Sequence, residues 1–146
     1  MSEHFWINWL KTASLAVAGF GLVIAVASHP PGAGLMMFLA DILIWPFDGN
    51  PAAPDQMTRL LSGIGGGVMA GWGEMLWMTA AWVLPRQPET GRRIIMISIV
   101  AWFVVDSTAS VVAGVPLNVA GNLLFLIAFL VPLRALSRGN PGKAVA

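Results

Sequence analysis

Two acidic residues lie inside long apolar stretches of the chain, and they are the first candidates for chemistry. Glu74 follows a glycine-rich run, and Asp106 lies within the apolar segment from residue 94 to 113. A carboxyl group inside a membrane is costly unless it is paired, protonated or hydrated, so acids at such positions often mark ion pathways or binding sites. Both residues are therefore candidates for an intramembrane polar site.

Asp106 has polar partners in the apolar segment that follows it. It lies nine residues before Val115, and Asn122 lies seven residues after Val115. If the two segments form an antiparallel helical hairpin, these positions meet at nearly the same depth, which predicts a hydrogen bond between Asp106 and Asn122. Ser110 and Asn118 are each four residues closer to the turn and extend the predicted ladder. Hydrogen bonding that holds two helices together and a small polar pocket open to the outside both fit this pattern.

Glu74 shares a predicted helix face with regularly spaced glycines. Gly63, Gly67 and Gly71 recur every four residues, a small-residue stripe that lets membrane helices approach closely. We expect this stripe to pack inside the monomer, with association of two copies as the alternative. The matching small residues earlier in the chain are Ser14, Ala18, Gly21 and Ala25. Glu74 should then point into the interior, either as a neutral acid bonded to a carbonyl or to Ser14, or as a proton or cation carrier.

Three tryptophans, Trp72, Trp77 and Trp102, lie away from the ends of the apolar stretches. Large side chains at such positions fill volume between helices whose other residues are small. The alternative is that they line a site for a flat hydrophobic ligand. Each indole N–H needs an acceptor, and the two acids are candidates for it.

Other kinds of site find no support in the residues. The absence of cysteine excludes disulfides and thiolate ligands. His4 and His29 are the only histidines, and they fall at opposite ends of the first apolar stretch, which excludes a shared metal or haem. No nucleophile–base pair, phosphate-binding loop or metal-ligand spacing occurs, so we expect no catalytic residues, metal or cofactor. The net charge of +1 gives no indication of nucleic-acid binding.

The composition indicates which elements position these residues. Hydrophobic residues make up 57% of the chain and charged residues 10%, against about 25% charged in soluble proteins. Lipid is therefore the expected solvent. Four stretches approach the length of ~20 residues that a transmembrane helix needs: about 12–28, 58–84, 94–113 and 117–133. The predicted fold is an all-α, integral membrane bundle of four transmembrane helices, forming one domain over residues 1–146.

Shorter segments complete the predicted architecture. Residues 34–45 are apolar but too few to cross a bilayer, which predicts an interfacial or re-entrant helix that ends at the aromatic anchor Trp45. Residues 46–57 are polar and proline-rich, as expected of an outer loop. Gly114 and Pro116 predict a tight turn between the third and fourth spans.

The basic residues predict the orientation of the chain. One side of the predicted bundle has Lys11, Arg86, Arg92, Arg93, Arg134, Arg138 and Lys143, and the other has Asp41, Asp48 and Asp55, with Arg59 as the single basic exception. Because basic loops stay in the cytoplasm, both termini are expected to be cytoplasmic.

The first span allows a second interpretation. Ala25-Val26-Ala27 resembles a signal-peptide cleavage site, and cleavage would leave three spans and an external N-terminus. Trp6 and Trp9 are typical of a membrane-interface belt instead, which favours retention of this span.

Several short strings resemble those of a group of small proteobacterial membrane proteins with no assigned function. They are LIWPFDG at 43–49, GGGVMAGWG at 65–73 and WFVVDS at 102–107, with Gly114 and Asn118 after them. The resemblance covers residues 35–133. It implies a small multi-span protein of the bacterial inner membrane and implies no particular activity or cofactor.

The small predicted extramembrane parts and the packing signals favour a non-enzymatic inner-membrane protein of accessory, assembly or structural type. Its expected partners are the lipid bilayer and either itself or a larger membrane complex. The alternative is a small proton- or cation-linked transporter, in which Glu74 and Asp106 bind the ion and Asn118 and Asn122 line the entrance. A membrane enzyme has the least support.

Overall fold

The computed structural model describes residues 2–44 and 47–138, and within these the fold is all-helical. Its helices are α1 (Glu3–Val26), α2 (Gly34–Leu43), α3 (Gln56–Met78), α4 (Pro88–Val112) and α5 (Asn118–Arg138). A 3-10 turn at Pro30–Gly32 connects α1 to α2, and α3 continues into a π-helical turn at Thr79–Val83. The predicted anchor Trp45 and the basic residue Lys143 lie outside the described residues.

Three helices of the described chain are long and apolar enough to cross a membrane: Glu3–Val26, Pro88–Val112 and Asn118–Ser137. Their outward surfaces are apolar as well, since Val105 is 70% exposed and Val112 is 82% exposed. Helices with apolar side chains on every side are typical of a lipid environment. The chain is therefore a helical membrane protein. Helix α3 is not among the three, because it is rich in glycine and contains Arg59 and Glu74.

The observed helices extend beyond several predicted spans. Helix α1 begins at Glu3 rather than near residue 12, because the Ser2 hydroxyl accepts a hydrogen bond from the Phe5 N–H at 3.3 Å and caps the first turn. Helix α4 begins at Pro88 rather than near residue 94, with proline in its first turn, where no hydrogen bond is lost. Hydropathy marks the part of a helix inside lipid, whereas capping marks where the helix itself begins.

The turn between α4 and α5 is the one that the sequence predicts. Gly114 has φ +79°, a conformation that costs glycine little. The Val115 N–H donates to the Ser110 carbonyl at 2.9 Å, which closes the end of α4. Pro116 follows in the turn, and α5 begins at Asn118. This short connection makes α4 and α5 an antiparallel hairpin.

Helices α1 and α3 touch backbone to backbone, through glycines other than the predicted stripe. A Cβ added to Gly66 would lie 2.5 Å from the Gly21 carbonyl oxygen, and one added to Gly73 would lie 2.8 Å from the Ala18 Cα. Ala25 also contacts Gly66, so the α1 residues of this contact agree with the prediction. The two contacts pair later residues of α1 with earlier residues of α3, so these helices run antiparallel.

The predicted packing stripe on α3 is wrong for this contact. No heavy atom lies within 4 Å of a Cβ built on Gly67 or Gly71, and a Cβ on Gly63 meets only the Ser28 side chain, at 3.5 Å. The physical reason is the rotation of α3 about its own axis, which decides which of its faces meets α1. Turning Gly66 and Gly73 inward also buries Leu76, whereas turning the predicted stripe inward would drive the Glu74 carboxyl into the core.

A proline in α5 creates a further link between helices. Pro132 lies inside α5 and has no backbone N–H, so the carbonyl of Ala128 lacks its usual intrahelical donor. The Trp9 indole of α1 donates to that carbonyl at 2.9 Å. Around this link pack the buried side chains of Leu10, Phe129 and Leu133.

Antiparallel packing gathers the charges at two ends of the bundle. The end that we call the basic end has Lys11, Arg86, Arg92, Arg93 and Arg134, and the opposite, acidic end has Asp41, Asp48, Asp55 and Arg59. At the acidic end the Asp55 carboxylate caps α3 by accepting the Thr58 N–H at 2.7 Å. The backbone and side-chain hydrogen bonds with Thr58 lower the pKa of Asp55 below its ordinary value.

Candidate functional site: a polar cluster beside an apolar cavity

The side chains of α4 and α5 form a polar cluster around Asp106. The Asn122 amide donates to Asp106 Oδ2 at 2.5 Å, as the sequence predicts. The Asn118 amide donates to the same oxygen at 3.1 Å and to Ser110 Oγ at 2.9 Å. Ser107, which the sequence argument missed, accepts from Asn122 at 3.2 Å. It lies one residue after Asp106, so the register of the hairpin alone places it beside the ladder.

Three oxygen atoms of this polar cluster keep free acceptor positions. Within the described chain, no hydrogen-bond donor reaches Oδ1 of Asp106, Asn118 or Asn122. No basic side chain of the described residues pairs with Asp106 either. The single ion pair in the described part of the chain joins Arg92 and Glu89. The cluster is therefore held together internally and still presents acceptors without donors.

The polar cluster lines one wall of a cavity of about 440 Å³. The other walls are apolar and come from all five helices, with Met69 as the contribution of α3. They include Phe20 and Ile24 of α1, Leu39 and Leu43 of α2, Trp102 of α4 and Phe125 of α5. Volumes of about 300–1,000 Å³ are usual for small-molecule sites. Apolar walls around a few convergent polar atoms are the usual composition of such sites as well.

Aromatic rings form one side of the cavity and the packing behind it. The rings of Trp102 and Phe125 meet edge to face with centroids 6.1 Å apart, and the Phe20 ring lies 6.2 Å from Phe125. Trp72 packs behind Trp102 at 5.7 Å. Its indole donates to Ser98 Oγ at 2.6 Å, so its acceptor is a hydroxyl and not one of the two acids. Trp72 fills volume between α3 and α4, whereas Trp102 lines the cavity.

Helix α2 covers the cavity, and Asp41 fixes the chain around it. Asp41 is only 5% exposed, and its carboxylate accepts the Gly49 N–H at 3.0 Å and the Asp48 N–H at 3.4 Å. From the sequence, Asp41 is predicted only as an acid of the outer side. An acid inside a ten-residue apolar helix with Asp-Gly shortly after it is the signal that could have revealed this role.

Glu74 does not belong to this site, which corrects the prediction that it points into the interior. Its side chain is exposed on the surface of α3 and does not line the cavity. Ser14, its predicted partner, is buried and donates to the Leu10 carbonyl at 2.8 Å. Glu74 does share a face with the predicted stripe, but that face points outward. We call Gly67, Val68, Gly71 and Glu74 the glycine–glutamate face.

Trp77, the third tryptophan of the predicted interior set, packs near the basic end. The Lys11 ammonium lies 5.7 Å from the centroid of its ring, within the range of a cation–π contact. The Trp82 ring meets it edge to face at 6.1 Å. Trp77 therefore has neighbours remote from the cavity and does not line it.

Among the described residues, no group of three or more histidine, cysteine, aspartate or glutamate side chains is arranged to hold a metal ion. Compared with protein-family models, with curated proteins and with solved structures, the chain gives no match. The class of protein defined by the fold is thus a small helical membrane protein with an apolar cavity and a polar cluster of one acid, two amides and two hydroxyls.

Proposed function

We propose that this is a non-enzymatic protein of the bacterial inner membrane, with four transmembrane helices, that acts as an accessory, assembly or structural subunit. The resemblance to small proteobacterial membrane proteins supports the inner-membrane location. The gathering of basic residues at one end of the bundle supports a cytoplasmic position for both termini.

The contact between α1 and α3 supports a fourth span. Their backbones touch at Gly21 and Gly66 and again at Ala18 and Gly73, so α3 follows α1 along its length. A helix in backbone contact with a membrane-crossing neighbour lies at the same depth as that neighbour. Together α3 and its π-helical turn run from Gln56 to Val83, about 42 Å at 1.5 Å per residue, which exceeds the hydrocarbon thickness.

The burial of α1 supports its retention in the bundle. Leu10, Ser14, Val17 and Gly21 are all buried against the other helices. Removal of this helix would expose the glycine surface of α3 and leave the Ala128 carbonyl without its donor. A bundle built around α1 fits a permanent span better than a transient leader.

The observation that carries the accessory function is the exposed Glu74. It lies nine residues before the end of the π-helical turn, about 14 Å along the helix axis and thus inside the hydrocarbon layer. No hydrogen bond or ion pair from another described side chain reaches it. An acid facing lipid is costly. The adjoining Gly67 and Gly71 leave room for close approach of another helix, so a helix of a partner membrane protein with a donor at that depth satisfies both features.

Photo-crosslinking in native membranes tests this proposal. A photoreactive residue at Val68, which is 69% exposed on the glycine–glutamate face, should give one discrete adduct with another membrane protein. Val105 on α4 is exposed to the same degree and provides the matched control. Bulk added by Gly71→Leu should remove the adduct. Equal adducts from both positions, or none from Val68, would count against an accessory role, whereas an adduct between two copies would identify the chain itself as the partner.

A proton- or cation-linked transporter stays as the second candidate, because the polar cluster opens to a cavity. Its support is weaker than the sequence indicated, since Glu74 and Asp106 do not share a site. Flux in liposomes of the purified chain tests it. Transport that is lost in both Glu74→Gln and Asp106→Asn would favour the carrier over the accessory subunit.

A further inference from the structure

We propose that the cavity binds a single-chain amphiphile with a primary ammonium head, held by the oxygen atoms of Asp106, Asn118 and Asn122. The inference is independent of the accessory role, because the glycine–glutamate face and the cavity share no residue. It rests on the acceptors of the polar cluster, on the apolar walls and on the entrance to the cavity.

The acceptors of the polar cluster match an ammonium group. The three side chains each keep an Oδ1 that receives no donor from the described residues, and all three line the cavity. Asn122 is only 5% exposed, yet its Oδ1 is not among the fully buried polar atoms without a partner, so it stays accessible to a ligand. An ammonium has three N–H donors and no acceptor. It also supplies the positive charge that Asp106 lacks among the described side chains.

The remaining walls match a hydrocarbon tail. Ile24, Met36, Leu39 and Phe125 surround the space next to the polar cluster. An inorganic cation would satisfy the oxygens but leave these walls in contact with an empty or hydrated volume. An amphiphile fills both parts at once, because burial of its tail removes apolar surface from water.

Exposed apolar residues connect the cavity with the surface of the bundle. Ile42 and Ile44 at the end of α2 line the cavity and are exposed on the surface of the bundle. An amphiphile already dissolved in the membrane therefore reaches the polar cluster sideways, with its tail remaining among apolar groups. Val115 of the α4–α5 turn also lines the cavity, so the cavity extends toward the acidic end of the bundle.

Gly121 allows the cavity to be closed without disturbing the polar cluster. It lines the cavity, and no heavy atom lies within 4 Å of a Cβ built on it. A leucine at this position therefore has room and occupies part of the tail space. Leucine has a higher helix propensity than glycine, so the Gly121→Leu variant should fold at least as well as the parent chain.

Native mass spectrometry of the full chain in a non-ionic detergent tests the proposal with dodecylammonium as the probe. We expect one dodecylammonium per chain, with affinity reduced at least about tenfold in Asp106→Asn and in Gly121→Leu. Glu74→Gln removes the other intramembrane acid, which lies outside the cavity, and should bind as the parent does. Dodecyltrimethylammonium has the same charge and tail without N–H donors, and it should bind at least about tenfold more weakly.

Three outcomes would overturn the proposal. Equal binding of the two ammonium probes would show that the oxygens do not recognise the head. Unchanged binding in Gly121→Leu would show that the tail lies elsewhere. An equal loss in Glu74→Gln would reveal binding by charge alone. Because Gly121→Leu keeps Asp106, the proposal stays testable even if thermal unfolding shows that Asp106→Asn does not fold.

Discussion

Asp106 and Glu74 are two acids inside apolar stretches of consecutive long helices, yet their surroundings are opposite. Asp106 accepts two amide hydrogen bonds and faces a cavity, whereas Glu74 lies on an exposed face without a partner in the described chain. The difference teaches that a position inside an apolar stretch does not by itself determine whether a carboxyl group is buried, hydrogen-bonded or exposed. The phase of its helix and the polar residues of the neighbouring helix decide it.

The largest test of this comparison uses two adjacent glycines of α3, one on each face. Gly66→Leu should destabilise the isolated chain by about 3 kcal/mol or prevent folding, because the side chain would meet the backbone of Gly21 and Ala25. Gly67→Leu, on the face of Glu74, should change stability by less than about 1 kcal/mol and in the favourable direction. Thermal unfolding in detergent measures both.

Similar losses of stability in these two variants would mean that the phase assigned to α3 is wrong. Glu74 would then belong inside the bundle, and the contrast between the two acids would disappear.

The next test breaks the polar cluster itself. Asn122→Leu removes an amide donor from Asp106 and should cost about 1–2 kcal/mol of unfolding free energy. Glu74→Gln is the matched control and should stay within about 0.5 kcal/mol, since no described partner is lost. Urea or thermal unfolding in detergent measures the difference. Equal stabilities of the two variants would show that the hydrogen bond between Asp106 and Asn122 does not stabilise the hairpin.

The smallest test adds a third acid, outside the membrane, as a reference. Thr58 lowers the pKa of Asp55, so its capping contribution is fully present above the ordinary value of 3.8 and is lost as pH falls through the lowered pKa. The protection of the Thr58 N–H against hydrogen exchange, relative to the intrinsic exchange rate at the same pH, should therefore fall below pH 3.8. Asp55→Asn keeps a capping side chain without a carboxyl and should remove this dependence. Retention of the pH dependence in that variant would assign it to another group.

The polar cluster could be predicted from sequence because a tight turn fixes the register of two helices. Once Gly114 ends α4, counting outward from the turn brings Asp106 to Asn122 and Ser110 to Asn118. No three-dimensional information beyond helix geometry enters that count.

The face occupied by Glu74 could not be predicted in this way. Between Gly63 and Gly73 the chain offers glycines on several faces, and sequence spacing alone does not say which face meets α1. The close approach of Gly66 to Gly21 makes that choice. The burial of Asp41 and the apolar wall that α2 adds to the cavity escaped prediction for a related reason, because both depend on how α2 folds back over the bundle.

Pro132 has a consequence for the order in which the bundle assembles. A helix α5 that enters the bilayer alone carries the Ala128 carbonyl bare in hydrocarbon, and an unsatisfied backbone group there costs several kcal/mol. The indole of Trp9, from the opposite end of the described chain, satisfies it. The first and last helices of the described chain thus complete one another, so the hairpin of α4 and α5 is fully satisfied only after α1 has joined it.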